Sequence, residues 1–337
     1  MFRFALVKLW QLLLVYGLAS GIIFAAMQSL EDPVSLKFSK YPNPEQVVAE
    51  KHRLGLDRPV LEQFGLFHRK FLSFDWEKSL LTGRGSWEDF KLYFPATLEL
   101  TLLALLIGSV VGAALALFAR EKSGRFIGRV AMSFASVGLV VPIFWVGLIS
   151  LVFGSLWLGW FPMGGRFDLA LIPPPEVTGL LLLDSLLAGD LWSFWDALRY
   201  LFLPAICLAV YPAANVSAVL YGRLKEPGIV ALRVALLARG VGPLSLFFKH
   251  YLRVGAAPVV TVLGTTFGAL LGGAVLTESV FSWPGLGRYV ITSIVERDLF
   301  VAQYLLLVLI LMVYVVAFIS DLVVQALMVE RDSVEDA

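Results

Sequence analysis

Long apolar runs alternate with polar connections along this chain, and the length of the runs follows the thickness of a membrane rather than the period of one buried helix face. A helix needs about 20 mostly apolar residues to cross about 30 Å of hydrocarbon. Six segments meet that test: Ala5 to Met27, Ala96 to Ala119, Val130 to Leu158, Tyr200 to Tyr221, Pro258 to Leu276 and Val301 to Met328. The pattern predicts an all-α, polytopic membrane protein with six transmembrane helices. The first run is longer than the about 7–15 apolar residues of a secretory signal and has no small-residue cleavage site after Met27, so it is expected to be a retained span. A shorter run, Val177 to Ala188, contains Asp184 and follows Pro173-Pro174-Pro175-Glu176. It is too short to cross and is expected on the membrane surface or packed on the spans. Pro142 in the third run, and Pro204 and Pro212 in the fourth, each remove a backbone donor and should kink their helices.

Composition agrees with the pattern: 58% of residues are hydrophobic and only 16% charged, with mean hydropathy +0.81. A net charge of +1 leaves no bulk field for nucleic acid. Cys207 is the only cysteine and the three histidines, His52, His68 and His250, lie far apart. A disulfide, a thiolate cluster and a histidine metal site are therefore not expected.

Lys and Arg in short connections set orientation. Arg120, Lys122, Arg125 and Arg129 fall between the second and third runs, and Arg223, Lys225, Arg233, Arg239, Lys249 and Arg253 between the fourth and fifth. Both connections are expected inside, which places both termini inside. Residues 31–93 then lie outside, and their balanced charge and length predict a small external subdomain. The expected division is a first helix over 1–30, this subdomain over 31–93, and a core domain over 94–337 with five of the transmembrane helices and the inner connection 222–257. Phe64, Phe67, Phe71, Phe74, Trp76, Trp87 and Phe90 supply its aromatic core, with an amphipathic helix expected around Leu54 to Leu66.

The spans hold few ionisable groups. Lys8 is expected to snorkel, and Glu99 and Asp321 to act as interfacial or capping carboxylates. Small residues recur at helical spacing as Gly17-x3-Gly21, Gly108-x3-Gly112 and Gly264-x3-Gly268-x3-Gly272-Gly273, a pattern that permits close helix approach. On the fifth span Thr265, Thr266, Gly268 and Gly272 are candidates to line a pore. After it, Trp283 suits an interface and Pro284-Gly285 force a turn. Glu278 lies near the helix end with Arg288 beyond the turn. Glu278, Phe281, Trp283, Pro284, Gly285 and Arg288 form a candidate external gate.

No nucleotide-binding or hydrolase motif occurs. If transport through the chain is active, its energy must enter from elsewhere, and the expected port is the inner connection 222–257, where two helical patches flank Gly240-Val241-Gly242-Pro243.

This connection resembles the signature loop of the permease subunits of dipeptide/oligopeptide/nickel-type ABC importers. That family carries a Glu, an R-T-A-x-x-x-G turn eight residues on, and a Pro eighteen residues after that Gly. Here Glu226, Val234-Ala235-Leu236 with Gly240, and Pro258 occupy those places. Further matches are Asp32-Pro33, LGLDRPV from Leu54, FPATLEL from Phe94, PIFWVG from Pro142, TGLLLLDSLLAGD from Thr178, LFLPA from Leu201 and GGAVLTESVFSWPGLGRYV from Gly272. The polar residues of the motif are replaced by Val234, Ala235, Leu236 and Leu237, a more apolar docking surface than the pattern.

The resemblance implies a type I ABC importer permease fold and a chain that catalyses nothing and holds no cofactor, ATP being bound by partner subunits. Its implied partners are a second homologous permease, two cytoplasmic ATPases, an external solute-binding protein and the lipid bilayer of the cell inner membrane. Glu226, Leu232, Val234, Ala235, Leu236 and Gly240 would form the ATPase-coupling helix. Short peptides are the expected substrate, with nickel chelates, glutathione or sugars as alternatives within the family. A self-sufficient secondary transporter, from a different class, would require inverted repeats and midplane charges, which the sequence does not show.

Overall fold

The computed structural model describes residues 2–29, 34, 44–121, 126–242 and 245–335. Asp32-Pro33, Lys122, Arg125 and Pro243, singled out above, lie outside the described residues. In chain order the helices are α1 (Phe2–Ser29), α2 (Pro44–Leu54), α3 (Val60–Leu72), α4 (Ser86–Glu121), α5 (Phe126–Val137), α6 (Ile143–Ser150), α7 (Leu181–Leu187), α8 (Leu191–Leu224), α9 (Pro227–Ala238), α10 (Leu252–Val280), α11 (Leu286–Val295) and α12 (Leu299–Glu335). Two π-helical stretches, Leu151–Trp157 and Leu246–Tyr251, continue α6 and lead into α10. Among the described residues the architecture is all-α. Five helices, α1, α4, α8, α10 and α12, are long and apolar enough to cross a membrane.

The third predicted run, Val130 to Leu158, is in two pieces. Turns at Leu139 and Val140 follow α5, and Pro142 stands before α6 with φ −62° and ψ 126°. An extended proline cannot continue the hydrogen-bond ladder from α5, so the helix restarts after it. Pro204 and Pro212 lie within a continuous α8. The expected helix at Leu54 to Leu66 is also divided: α2 ends at Leu54, Gly55 adopts φ +77°, and Pro59 precedes α3. A left-handed residue followed by a proline is a stop and a start, not a helix interior.

Two compact units are present: residues 1–96 with 284–314, and residues 97–283 with 315–337. The first is built on aromatic packing. Phe67, Phe71, Trp76 and Phe90 share one core with Tyr289, Val301 and Tyr304, and Phe64 and Trp87 pack against it. The Trp76 ring lies 5.6 Å from Phe71 and 5.6 Å from Tyr304, near-parallel to both, and its indole N–H donates to the Phe71 carbonyl at 3.0 Å. Phe74 is exposed, with φ 56°, although its ring still meets Trp87. Buried carboxylates fix this unit's loops. Asp298 accepts from Ser79 Oγ and Leu80 N–H, each at 2.7 Å, and Asp89 accepts from Thr82 Oγ1, Arg84 Nε and the Tyr289 hydroxyl at 2.6–2.7 Å.

In the second unit α4 and α8 approach closely because α4 offers glycine. A Cβ on Gly108 would come within 2.5 Å of Pro212 and one on Gly112 within 2.6 Å of the Ala213 carbonyl. Gly264 likewise faces the Ser320 side chain of α12, which a Cβ would meet at 2.4 Å. Gly17 and Gly21, in the first unit, face open space. Identical spacing therefore has two outcomes: the α4 stripe and Gly264 on α10 seat another helix of this chain, whereas Gly272 and the α1 pair have nothing within 4 Å in their own units.

Candidate functional site

The inner connection begins where α8 ends. Arg120 Nε on α4 donates to the Leu224 carbonyl at 3.2 Å, and Arg223 pairs with Glu226. Glu226 stands just before α9 and Pro227 opens it, where a missing N–H costs nothing. The helix ends on Gly240 at φ +76°, the left-handed residue expected from the sequence. The Gly240 N–H donates to Leu237 O at 3.0 Å and the Val241 N–H to Leu236 O at 3.1 Å, a Schellman turn that satisfies the last carbonyls.

Ile229, Leu236 and Val241 lie against a core of Ala116, Leu220, Leu224, Leu246 and Tyr251. The rest of α9 turns outward. It contains no buried residue, and Leu232, Val234 and Leu237 are exposed, Val234 to 62%. The coupling-helix candidates are thus divided: Leu236 is the inward anchor, and Leu232 and Ala235 belong to the outward apolar surface.

On α10 the pore-lining candidates also divide. Thr265 is exposed and bonds back to the Thr261 and Val262 carbonyls, Gly272 is exposed and Gly268 half-buried, so these share an open stripe with Thr261, Leu276 and Ser279. Thr266 is buried and faces inward.

The external-gate candidates fall in both units. In the second unit Glu278 is fully buried and accepts from Thr97 Oγ1 at 2.5 Å, and Phe281 packs with Leu203 and Cys207. Trp283 is fully buried. In the first unit Pro284, Gly285 and Arg288 line a 360 Å³ cavity with Leu81, Thr82, Tyr93, Tyr289 and Thr292.

Sequence reasoning missed Arg166, beside the second unit's part of this gate. Arg166 donates to Glu99 Oε2 at 2.7 Å and to the Gly179 carbonyl at 2.8 Å, and its guanidinium lies 5.9 Å from the Trp283 ring centroid. The other Glu99 oxygen accepts the Leu182 N–H of α7 at 2.7 Å. Glu99 is thus a capping carboxylate, as expected, and an ion-pair partner as well. One signal was present: Arg166 is a single cation in an apolar stretch after Gly164-Gly165.

The short run with Asp184 packs as α7 and does not cross. Asp184 accepts from the Thr178 amide, the Thr178 hydroxyl and the Gly179 amide at 2.7–3.0 Å. Burial alone would raise its carboxyl, and these donors outweigh it and hold it below the usual carboxylate range. No group of three or more metal-ligating side chains occurs among the described residues.

Comparison with known proteins places this geometry. A family model described as binding-protein-dependent transport system inner membrane component matches residues 104–328. The di/tripeptide transport system permease protein DppB of Pseudomonas aeruginosa (strain UCBPP-PA14) is 38% identical over 296 residues, 86% of this chain and 87% of that protein. The probable D,D-dipeptide transport system permease protein DdpB of Escherichia coli (strain K12) is 36% identical over 298 residues, covering 86% of each. The fold is shared with a chain of the MetNI methionine ABC transporter in inward-facing form, at TM-score 0.51 and 18% identity, over 69% of this chain and 93% of that one.

Proposed function

This chain belongs to the binding-protein-dependent transport system inner membrane component family, and from that premise we propose that it forms half of the translocation pathway of an ABC importer for short peptides. It is a multi-pass membrane protein of a transport system, and its relatives named as di/tripeptide and dipeptide permeases support peptides as the cargo. In this reading a second homologous permease completes the pathway, two cytoplasmic ATPases supply energy, and an external solute-binding protein delivers substrate. ATP binds the partners, and this chain holds no cofactor. The termini lie inside and residues 31–93 outside.

The observation that carries the reading is α9: an apolar helix with no buried residue, fixed at both ends and presented outward. Burial of an apolar side chain in a partner's cleft is worth about 1.5–3 kcal/mol, so several such positions suffice for docking. Closure of the ATPases on ATP then moves α9 as a rigid lever and biases the bundle between inward- and outward-open states. The open stripe of Thr261, Thr265, Gly268 and Gly272 supports a pathway-lining role for α10, and the turn from Glu278 to Arg288 a gating role outside.

Co-expression with the permease, ATPase and binding-protein genes beside it tests the reading. The expected result is a copurifying complex that takes up a labelled dipeptide in proteoliposomes only with ATP and binding protein. Uptake by this chain alone, driven by an ion gradient, would overturn it. Single cysteines at Lys51 and Arg239 test orientation: the first should label from outside and the second only from inside.

A further inference from the structure

The residues around Arg166 join three parts of the second unit that are distant in sequence. The segment 160–180 reaches the end of α10 through backbone as well as side chain: Gly165 N–H donates to the Phe281 carbonyl at 3.0 Å, and a Cβ on Gly164 would lie 2.7 Å from that same oxygen. Arg166 then ties this segment to α4 through Glu99, to its own return strand through the Gly179 carbonyl, and to the Trp283 face. Thr97, two residues before Glu99, holds Glu278 on α10. The ion pair is largely withdrawn from water, with the two side chains 18% and 6% exposed.

We infer that Arg166 and Glu99 form a latch that holds the external gate segment Phe281 to Trp283 shut, Arg166 acting as a positioning residue and not as a substrate contact. This inference rests on the gating role proposed above. A charged pair at low exposure resists loss of either partner, because the survivor is left buried and uncompensated. Arg166 Nε is buried with no hydrogen-bond partner among the described residues, so the closed arrangement leaves one donor unsatisfied. An unmade bond of that kind costs the closed state part of its advantage, and the latch can therefore be released by a partner that pulls the segment away from α4.

The test uses the whole complex in nanodiscs, with ATP hydrolysis measured without and with binding protein. Arg166→Gln removes the charge pair, Glu99→Gln removes it with minimal change of shape, and Gly164→Ala pushes the segment from the Phe281 carbonyl without touching a charge. Each should raise hydrolysis without binding protein by about tenfold and shrink the further stimulation by binding protein, since a coupling of this size corresponds to ordinary allosteric energies. Assembled Glu99→Gln and Gly164→Ala complexes that hydrolyse ATP at the native unstimulated rate would overturn the latch. Failure of the native complex to form or to respond to binding protein would instead overturn the functional reading.

Discussion

Two connections of the second unit use opposite means of holding their shape. The segment 160–190 is tied down by buried charge: Glu99 meets Arg166 and Leu182, and Asp184 gathers the donors around Thr178. The helix α9 is held by its ends, by Pro227 in front and the Schellman turn behind, and Leu232, Val234 and Leu237 on its outward side are left exposed. The difference separates a piece that completes its own structure from one whose surface energy is unspent. Charge-assisted hydrogen bonds to buried groups are strong and directional and fix one geometry. An exposed apolar face is indifferent to geometry until a partner covers it.

Breaking α9 should have the largest effect. Val234→Asp places a charge at the centre of its outward face and should reduce both copurifying ATPase and peptide uptake by about 10–100-fold, the equivalent of losing one buried apolar contact. The amount of inserted permease should not change, as judged by size-exclusion chromatography in detergent. Full ATPase recovery with this variant would show that α9 is not the docking surface.

The external counterpart, Asp184→Ala, strands two amides and a hydroxyl and should cost about 1–3 kcal/mol locally. Limited proteolysis should then cut within residues 170–180, while the Val234 variant remains protected there. Equal protection in the two proteins would remove the contrast between the segments.

Gly240→Ala sharpens the comparison at lower amplitude. A side chain at φ +76° costs about 1 kcal/mol, so ATPase stimulation should fall several-fold with assembly retained, and Gly240→Asn should fall between it and the native chain. An Ala variant with full stimulation would show that the angle of α9 is not set by this turn.

The smallest effect concerns the first unit, where Glu77 binds Lys70 at 2.5 Å and Arg53 at 3.0 Å. Burial opposes ionisation of Glu77, but the two cations prevail and hold its carboxyl below the usual 4.5. A carboxylate with a lowered pKa stabilises the folded unit above the unfolded value, and that contribution disappears as pH falls through the folded one. Amide exchange across α2 and α3 should therefore accelerate modestly below about pH 4.5, and Glu77→Gln should abolish that dependence. An unchanged pH profile in the variant would show that other carboxylates control it.

The spans were legible because hydropathy is local: each run declares itself without reference to any other. Gly240 was legible for the same reason, since a helix end needs a left-handed residue wherever the helix goes. The glycine stripes were only half legible. Spacing announces that a close approach is permitted, but Gly108 has Pro212 against it whereas Gly21 has no neighbour within 4 Å in its unit. Arg166 was not legible as a partner of Glu99, because an ion pair across 67 positions leaves no periodicity behind it. The aromatics of residues 64–90 were readable as a core, yet that core also contains Tyr289, Val301 and Tyr304, which no linear pattern connects to them.

The interruption before α6 has a consequence for hydration. Pro142 has no N–H to donate to the Gly138 carbonyl one turn earlier, and Leu139 and Val140 beside it are exposed. Hydrocarbon does not tolerate a bare carbonyl, which costs several kcal/mol there, so irregular backbone at that depth must face protein or a water-filled cavity. Within a bilayer, then, the third run would need protein or water, and not lipid, beside this stretch.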